Sequence, residues 1–497
     1  MKKLRILFLL IFVSSTTALS QTATVARNVN LRPDPSTNQD AITKLETGAK
    51  VEILEPNPVR GYYHVQTADG KTGFVWGRNI RSLGAASGAL SGAKPARATS
   101  AHLAEAGQPR PLLAAGHPVD WWFVFKFNAA SFPGCARGAA RTCGFGGQVQ
   151  SSWRSFSQQF AVASSESKSL QAGSGCVGDT IDDPVGATFG EIYDGSFNYV
   201  VWNDQFYQDP QLAACGSSNS CGAPWGHSKG MVAWDEKGDG IVMQVTTPDW
   251  PGAASKRHPR SEEGNTLGCT ARDNDVLVSQ HFFALKLTKD DVVKVLTALQ
   301  NASVVTDPHN TQIVKNGGPA DITGSVARLG VKSASTAVTH ETLSTGVQLI
   351  SKPSGLHVPP WQMVSSVLDG ISLRAATWWA NPGEIPSTTS ATAINCWSTA
   401  LGAPGGVEIA ISGQFQGKTF GLKGLAEPDG NHAKIGVSTS GSHHYAIFGD
   451  MNQEGAIKGD CKSSQNGRGG LFFVIDDAEL SNSMKDLITG DSAPVEP

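Results

Sequence analysis

After its first 20 residues, the chain shows short alternations of apolar and polar residues that are typical of β-strands. Between residues 24 and 82, such runs are separated by Pro-Asp-Pro, Ala-Asp-Gly and Lys-Thr-Gly, which are turn-forming sequences. This pattern predicts a small β-barrel. Residues 83–115 are instead rich in Ala, Gly, Ser and Pro without sustained periodicity, so we predict a flexible linker there.

A larger patterned region runs from residue 116 to about 480. Between two groups of strand-like runs, Thr288 and Asp291 have the spacing of a helix capping box, and the apolar residues that follow share one helix face. We therefore expect an α/β (α+β) domain with halves at 116–300 and 301–480, followed by a flexible tail at 481–497. The strand-like runs are Trp121–Phe127, Tyr199–Trp202, Met231–Trp234, Ile241–Thr246, Ile371–Ala376, Val407–Ile411, Ile435–Val437 and Tyr445–Phe448.

Length and composition indicate several folded domains. The chain has 497 residues, of which 40% are hydrophobic and 17% charged, which excludes a disordered chain and a lone small binding module. With a net charge of −3, the chain lacks the excess of basic residues that is typical of nucleic-acid-binding proteins at neutral pH. Protonation of the twelve histidines would change the charge of residues 21–497 from −6 to +6. An acidic medium would therefore favour polyanion binding.

The first 20 residues have the composition of an export signal. A basic start and an apolar run from Ile6 to Val13 are followed by Ala18 and Ser20 at the −3 and −1 positions of a cleavage site. The run is shorter than the roughly 20 residues that span a bilayer. We predict a secreted or periplasmic protein without membrane contact.

The cysteine pattern supports an oxidising compartment. All eight cysteines lie beyond residue 130 and none belongs to a Cys-x-x-Cys sequence. In an exported protein this favours disulfides over zinc ligation. Short separations favour the pairs Cys135–Cys143 and Cys215–Cys221, and we predict no metal site.

Two His-x-Lys sequences carry the candidate chemistry. His227-Ser228-Lys229 and His432-Ala433-Lys434 each precede a strand-like run, a turn and a second strand that ends in polar residues. Residues i and i+2 of an extended strand point to the same face, so the His and Lys of each motif can enter one site together. The four candidate catalytic residues are therefore His227, Lys229, His432 and Lys434.

Two such halves facing each other would place two imidazoles and two ammonium groups around one phosphodiester. The lysines and Asn452 would neutralise the phosphate, one histidine would attack phosphorus, and the other would protonate the leaving oxygen. This scheme needs neither a metal nor another cofactor. Polar positions at the strand ends add Asn203, Asp249 and Asp450 to Asn452 as candidate substrate-binding residues.

The segments around these motifs resemble the deoxyribonuclease II family, a branch of the phospholipase D superfamily. The resemblance implies a pseudo-twofold, two-lobe nuclease with mixed sheets that cuts DNA in acid without metal and leaves 3′-phosphate ends. It also favours His227 as the nucleophile, through a phosphohistidine, and His432 as the general acid, although the order could be reversed. The family usually carries a further histidine before Pro248, where this chain has Val245-Thr246-Thr247. The matching stretches are Pro118–Trp121, Phe123–Lys126, Val201–Gln205, Gly226–Gly230, Pro248–Pro251, Asn431–Lys434, Gly449–Asn452 and Arg468–Gly470.

Residues 24–82 resemble the bacterial SH3-like family through Asn30-Leu31-Arg32, Thr47–Val51 and Gly73–Trp76. The resemblance implies an SH3-like β-barrel that binds cell-wall peptide or glycan. Two other readings stay open. The chain could be a phospholipase-D-like phosphodiesterase acting on lipid headgroups or wall polymers, or a wall-binding protein whose SH3-like module is the functional part.

Two tryptophan pairs could serve as base-stacking platforms. Trp121-Trp122 and Trp378-Trp379 have the flat apolar rings that nucleobases stack on. Core packing of alternate ring faces is the simpler interpretation of such pairs. We therefore expect these rings to lie in the core.

Overall fold

The computed structural model divides into two compact units, residues 1–101 and 102–497, and each is described by itself. The structure describes residues 21–25, 28–36, 39–55, 59, 62–76, 79–82, 107–132, 159–174, 177, 182–194, 197–206, 208, 210–218, 220–248, 277–379, 385–424, 427–453, 455 and 457–496. The predicted export signal, Cys135, Cys143 and Asp249 lie outside these ranges.

The first unit is built from short antiparallel strands. A five-stranded sheet has the order β6-β5-β4-β1-β7, and β2 pairs with β3. The core of this sheet is filled by alternate strand residues such as Val51, Ile53, Val65 and Val75. This is expected because successive side chains of a β-strand point to opposite faces. The strands are β1 (Gln21–Val25), β2 (Val29–Leu31), β3 (Thr43–Leu45), β4 (Lys50–Ile53), β5 (Tyr62–Thr67), β6 (Thr72–Trp76) and β7 (Ile80–Ser82).

Strands β5 and β6 carry four half-buried rings that alternate with the core positions, and the ring of Trp76 also packs against the core. Tyr62 pairs with Trp76 at 4.8 Å between ring centroids, and His64 stacks on Phe74 at 4.7 Å. We call these four residues the aromatic strip. Such partly exposed rings differ from the core positions, which alternate with them along both strands.

The second unit contains two large sheets. The first sheet has eight antiparallel strands in the order β12-β11-β10-β16-β15-β14-β13-β17. Its last strand follows residue 300, so the sheet extends beyond the predicted first half. The strands are β10 (Trp121–Lys126), β11 (Phe160–Ser164), β12 (Gln171–Ala172), β13 (Asn198–Asn203), β14 (Lys229–Trp234), β15 (Gly240–Val245), β16 (Gln280–Leu287) and β17 (Val314–Lys315).

The second sheet has seven strands in the order β18-β19-β26-β25-β24-β20-β21, antiparallel except for the β20–β21 pair. Two small hairpins, β8–β9 and β22–β23, complete the β structure of the described residues. The strands are β8 (Leu112–Ala114), β9 (His117–Pro118), β18 (Thr339–Thr342), β19 (Gln348–Lys352), β20 (Leu373–Ala376), β21 (Val407–Ile409), β22 (Ser412–Phe415), β23 (Lys418–Gly421), β24 (Ile435–Ser438), β25 (Tyr445–Gly449) and β26 (Gly470–Asp476).

The helices pack around these sheets, and the mixed α+β fold is confirmed. Thr288 caps α2, where its side chain and that of Asp291 form the predicted capping box. Within the described ranges, no helix is long and apolar enough to cross a bilayer. The α-helices are α1 (Pro184–Asp194), α2 (Lys289–Asn301), α3 (Ala320–Val326), α4 (Pro360–Val367) and α5 (Ala478–Leu487).

The two sheets share one apolar core. Phe283 of the first sheet stacks on Phe448 of the second at 4.5 Å, and Phe123 contacts the same ring at 4.7 Å. The strands β13-β14-β15-β16 and β20-β24-β25-β26 also follow the same order. In each set, the strand that continues a His-x-Lys motif is the second of the four. A twofold axis between the halves stays a prediction.

Some sequence-based expectations differ from the structure. Residues 481–487, predicted to begin a flexible tail, belong to α5, whose Leu480, Met484 and Leu487 are buried. Further on, the Arg374 guanidinium donates to the carbonyl oxygens of Ile488 and Gly490. Strand β8 lies within the segment predicted as a linker, and β9 pairs with it.

The structure contains the predicted Cys215–Cys221 disulfide and another between Cys396 and Cys461. Trp121, Trp122 and Trp379 are buried, as expected. Trp378 is only half-buried, and its ring meets that of His432 edge-on at 5.4 Å.

Candidate active site

Both His-x-Lys motifs lie where the chain enters a central strand. Lys229 is the first residue of β14, and Lys434 directly precedes β24. The exposed fractions of His227 and His432 are 5% and 3%, and both lysines are equally buried. The charge of Lys434 lowers the pKa of His227, and the charges of Lys229 and His227 lower the pKa of His432, so the two motifs lie close together. The structure therefore brings the four predicted residues into one buried site.

His227 is held by backbone atoms of two residues that directly flank strands β25 and β26 of the second sheet. Its amide donates to the carbonyl oxygen of Gly469 at 2.8 Å, and its Nδ1 lies 2.9 Å from the carbonyl oxygen of Asp450. A carbonyl can only accept, so Nδ1 carries the hydrogen. The lone pair of the neutral ring is then on Nε2.

His432 is held in turn by β16 of the first sheet and the residue before it. Its amide donates to the carbonyl oxygen of Ser279 at 2.7 Å, and its Nδ1 lies 3.2 Å from Oε1 of Gln280. The motif of each half is thus oriented by atoms of the other half. We call this arrangement the reciprocal brace.

Two glycines permit the close approach on the His227 side. A Cβ added to Gly226 would lie 2.7 Å from the carbonyl oxygen of Ala302, and one added to Gly469 would lie 2.2 Å from the same oxygen. Both distances are shorter than any real Cβ contact, so side chains there would push the two segments apart. Glycine at these positions lets the His227 amide reach Gly469.

A buried charge cluster supports Lys229. Its Nζ donates to Oδ1 of Asp204 at 2.7 Å, and the Arg468 guanidinium donates to Oδ2 of Asp204 at 2.8 Å. Arg468 also donates to the carbonyl oxygens of Cys221, Trp225 and Gly226. Burial alone would raise the pKa of Asp204, but the two cations outweigh it and hold that pKa well below its usual range. Removing one member of such a cluster costs about 3–5 kcal/mol.

The electrostatic environment favours neutral imidazoles. Burial, followed by Lys229, lowers the pKa of His227 well below 6.5, while Asp204 opposes this shift. Burial, Lys434, Lys229 and His227 lower the pKa of His432, and a hydrogen bond to the Thr246 backbone opposes them. An anion placed between the lysines would counteract these shifts. The site is therefore arranged for a negatively charged ligand.

A family model for Deoxyribonuclease II matches residues 111–491, and one for the Bacterial SH3 domain matches residues 27–81. The chain belongs to the deoxyribonuclease II family. Both His-x-Lys motifs and the Asp204 cluster lie inside the matched range. No curated protein sequence matched the chain. The family makes the second unit a nuclease domain, and the first unit carries an SH3 domain.

In the deoxyribonuclease II domain, Asp450 lies against the His227 motif. Its Oδ2 accepts hydrogen bonds from the Ser228 hydroxyl at 2.6 Å and from the Leu471 amide at 3.0 Å. Burial raises the pKa of Asp450 to about 7, despite these hydrogen bonds and the charge of Lys229. The carboxyl is thus protonated in acid.

The other predicted substrate-binding residues of the deoxyribonuclease II domain have different surroundings. Asn452 is fully buried, and neither atom of its side-chain amide has a hydrogen-bond partner among the described residues. The Asn203 side-chain oxygen accepts the amide hydrogen of Gln205 at 2.7 Å, which caps the end of β13. Asp249 cannot be placed, because it lies outside the described residues. Asn452 is therefore the amide best suited to a ligand.

Sequence reasoning did not select several residues that this deoxyribonuclease II site contains. Asp204 and Arg468 stood in quoted motifs but were not selected as site residues, and pairing Asp204 with Lys229 needs the contact between β13 and β14. His281, whose Nδ1 accepts the Lys434 amide hydrogen at 3.2 Å, had no motif at all. In the described part of the domain, no group of three or more His, Cys, Asp or Glu side chains is arranged to hold a metal ion.

Proposed function

We propose that the protein is a secreted acid endonuclease that hydrolyses DNA phosphodiester bonds without a metal ion. The observation that supports this most is the convergence of two buried His-x-Lys motifs on one site. Two lysines supply positive charge for a phosphate, and the histidines supply two proton-transfer groups. Two disulfides fit an oxidising compartment and therefore export.

In the first step, the lone pair on Nε2 of His227 attacks phosphorus. A phosphorus–nitrogen bond forms, the bond from phosphorus to O5′ breaks, and His432 gives its proton to O5′. The phosphate then links His227 to the 3′ oxygen of the cleaved strand. Asp204 near His227 stabilises the positive charge that develops on this ring, which supports its role as nucleophile.

In the second step, water attacks the same phosphorus and His432 takes a proton from it. The phosphorus–nitrogen bond breaks, and the product strand leaves with a 3′-phosphate. His432 lies among cations, so its protonated form is a strong acid that suits a poor leaving group such as O5′. Lys229, Lys434 and Asn452 would hold the nonbridging phosphate oxygens during both steps.

Cleavage of supercoiled plasmid at pH 5 in excess EDTA tests this function. We expect nicked and linear products, and end analysis should show 3′-phosphate and 5′-hydroxyl groups. Activity only with an added divalent ion, or 5′-phosphate ends, would contradict the mechanism. Hydrolysis of a phospholipid or a wall phosphodiester without DNA cleavage would favour the other phosphodiesterase reading.

Asn452→Ala should lower DNA cleavage about 100- to 1,000-fold without lowering the melting temperature. The wild-type amide makes no hydrogen bond to the described residues, so its removal leaves no protein group unpaired. Loss of a donor to the transition state costs about 2.7–4 kcal/mol in similar sites. Steady-state kinetics and thermal unfolding of the same samples measure both effects.

Gln453→Ala is the matched control for Asn452→Ala. Gln453 is equally buried, but its Oε1 accepts the Trp361 amide hydrogen at 3.1 Å and its Nε2 donates to Gln362. Its removal should cost about 1–3 kcal/mol of stability. A melting-temperature loss in Asn452→Ala as large as in this control would show that Asn452 is structural.

We further propose that the SH3 domain binds cell-wall peptide or glycan through the aromatic strip. Tyr62, His64, Phe74 and Trp76 offer adjacent, partly exposed rings on one face of the sheet. Flat rings with polar tips suit both sugar faces and peptide side chains.

Deleting residues 21–101 should leave hydrolysis of free DNA unchanged and abolish binding to wall fragments. The deletion ends before Gln108 and Arg110, because these residues contact Asp239 and Glu191 of the nuclease domain. Plasmid cleavage and co-sedimentation with purified cell walls measure the two effects. A folded but inactive truncated protein would contradict this division of roles.

A further inference from the structure

A third buried histidine lies beside the two motifs and takes no part in the chemistry proposed above. His281 is the second residue of β16 and is completely buried. The rings of Phe123 and Phe448 lie near it, with centroids 6.2 and 6.5 Å from the imidazole. It therefore lies where the two sheets meet.

The hydrogen bonds of His281 define its protonation. The Lys434 amide donates to Nδ1 at 3.2 Å, so Nδ1 carries the lone pair. Nε2 then carries the hydrogen and lies 3.4 Å from Oε1 of Gln244, which can accept it. A protonated ring would present N–H to the Lys434 N–H, and this contact would be lost. Burial and Lys434 lower the pKa of His281 well below 6.5, which favours the neutral ring.

The path continues from Gln244 to the other motif. Nε2 of Gln244 donates to the Leu471 carbonyl oxygen at 3.2 Å, and the Leu471 amide donates to Oδ2 of Asp450 at 3.0 Å. The backbone carbonyl of Asp450 is the acceptor for Nδ1 of His227. A continuous set of contacts thus joins Lys434 to His227 across the two sheets.

We propose that His281 is a positioning residue that fixes the second His-x-Lys motif relative to the first. It does so by accepting the Lys434 amide hydrogen and by contacting Gln244, which leads to Asp450. Because its effect is measured on DNA cleavage, this proposal rests on the proposed function. Misplacement of a reacting group by about 1 Å can cost 100-fold in rate, so loss of this contact should reduce turnover more than DNA binding.

Three variants test the proposal in the full-length protein. His281→Leu should lower kcat about 10- to 100-fold with KM within about threefold of wild type. His281→Asn should restore kcat to within about fivefold of wild type, because the asparagine Oδ1 can accept the Lys434 amide hydrogen. Phe283→Leu on the same strand is the control for lost packing, and it should lower the melting temperature with kcat unchanged.

A fourth variant covers the case in which His281→Leu does not fold. Gln244→Leu interrupts the same path and should show the same loss of kcat.

Hydrogen exchange gives a readout that does not depend on activity. The Lys434 amide should exchange faster in His281→Leu than in wild type or Phe283→Leu, and His281→Asn should restore its protection. Wild-type kcat in His281→Leu or Gln244→Leu, or equal losses in His281→Leu and His281→Asn, would overturn the proposal. Inactivity of the wild-type protein on DNA would instead refute the proposed function, and the exchange rates would still decide whether His281 protects the Lys434 amide.

Discussion

His227→Ala and His432→Ala should each reduce DNA cleavage by a factor of about 10²–10⁴, the usual contribution of a proton-transfer or nucleophilic group. Each ring performs a step that the other cannot complete, so neither loss can be compensated within the site. Single-turnover cleavage of a labelled duplex measures the effect. More than about a tenth of the wild-type rate in either variant would exclude that histidine from the chemistry.

An activated substrate separates the two roles. The p-nitrophenolate of a thymidine 3′-(p-nitrophenyl phosphate) leaves without being protonated, so His432→Ala should recover much of its lost rate on this compound. His227→Ala should stay inactive, because the nucleophile is missing. The opposite pattern would reverse the assignment. His340→Ala, at an exposed position on β18, is the control for a histidine outside the site.

The second large effect is the dependence on pH. One histidine must be neutral and the other protonated, and the pKa values of both lie well below 6.5 because of burial and the lysines. Activity should therefore rise as the pH falls from 8, reach an optimum near about pH 4.5–6, and fall again when both rings are protonated. We expect activity at pH 8 to be about 100-fold or more below the optimum.

Asp450 should reinforce the loss above neutral pH. Its pKa is raised to about 7, so the carboxyl is uncharged in acid and becomes negative as the pH rises through 7. A negative charge beside the His227 motif would then repel the phosphate. Plasmid cleavage between pH 4 and 9, with EDTA throughout and constant ionic strength, gives the profile. An optimum at neutral or alkaline pH would contradict the assignment of acid chemistry to this site.

The sequence was informative wherever a local pattern determines the structure. Each strand-like run named from the pattern coincides with an observed strand to within two residues at either end. The capping box at Thr288 was also visible, because its two residues lie three positions apart. The His-x-Lys spacing also predicted that the His and Lys of each motif lie together, and all four side chains are buried where the chain enters β14 and β24, while their catalytic roles stay a prediction. Short-range geometry is readable from sequence alone.

Contacts between distant segments could not be predicted from local sequence patterns. Asp204 and Arg468 are 264 residues apart, and their pairing depends on how the two sheets meet. His281 accepts the amide hydrogen of Lys434, which lies 153 residues away in the sequence. No local pattern around His281 indicates this partner. The tail was predicted wrongly because Leu480, Met484 and Leu487 are widely spaced in the sequence, and they are buried only through contacts with distant segments of the shared core.

The reciprocal brace means that the orientation of each His-x-Lys motif depends on atoms of the other half. A change in the segment from Ser279 to His281 alters the motif at His432, and a change near Asp450 or Gly469 alters the motif at His227. We therefore expect a substitution in one half to be tolerated only when the facing residues of the other half still fit it. We expect a chimera that joins the first half of this chain to the second half of a distant relative to contain all four proposed catalytic side chains and still be inactive. The contacts that orient each motif would be missing.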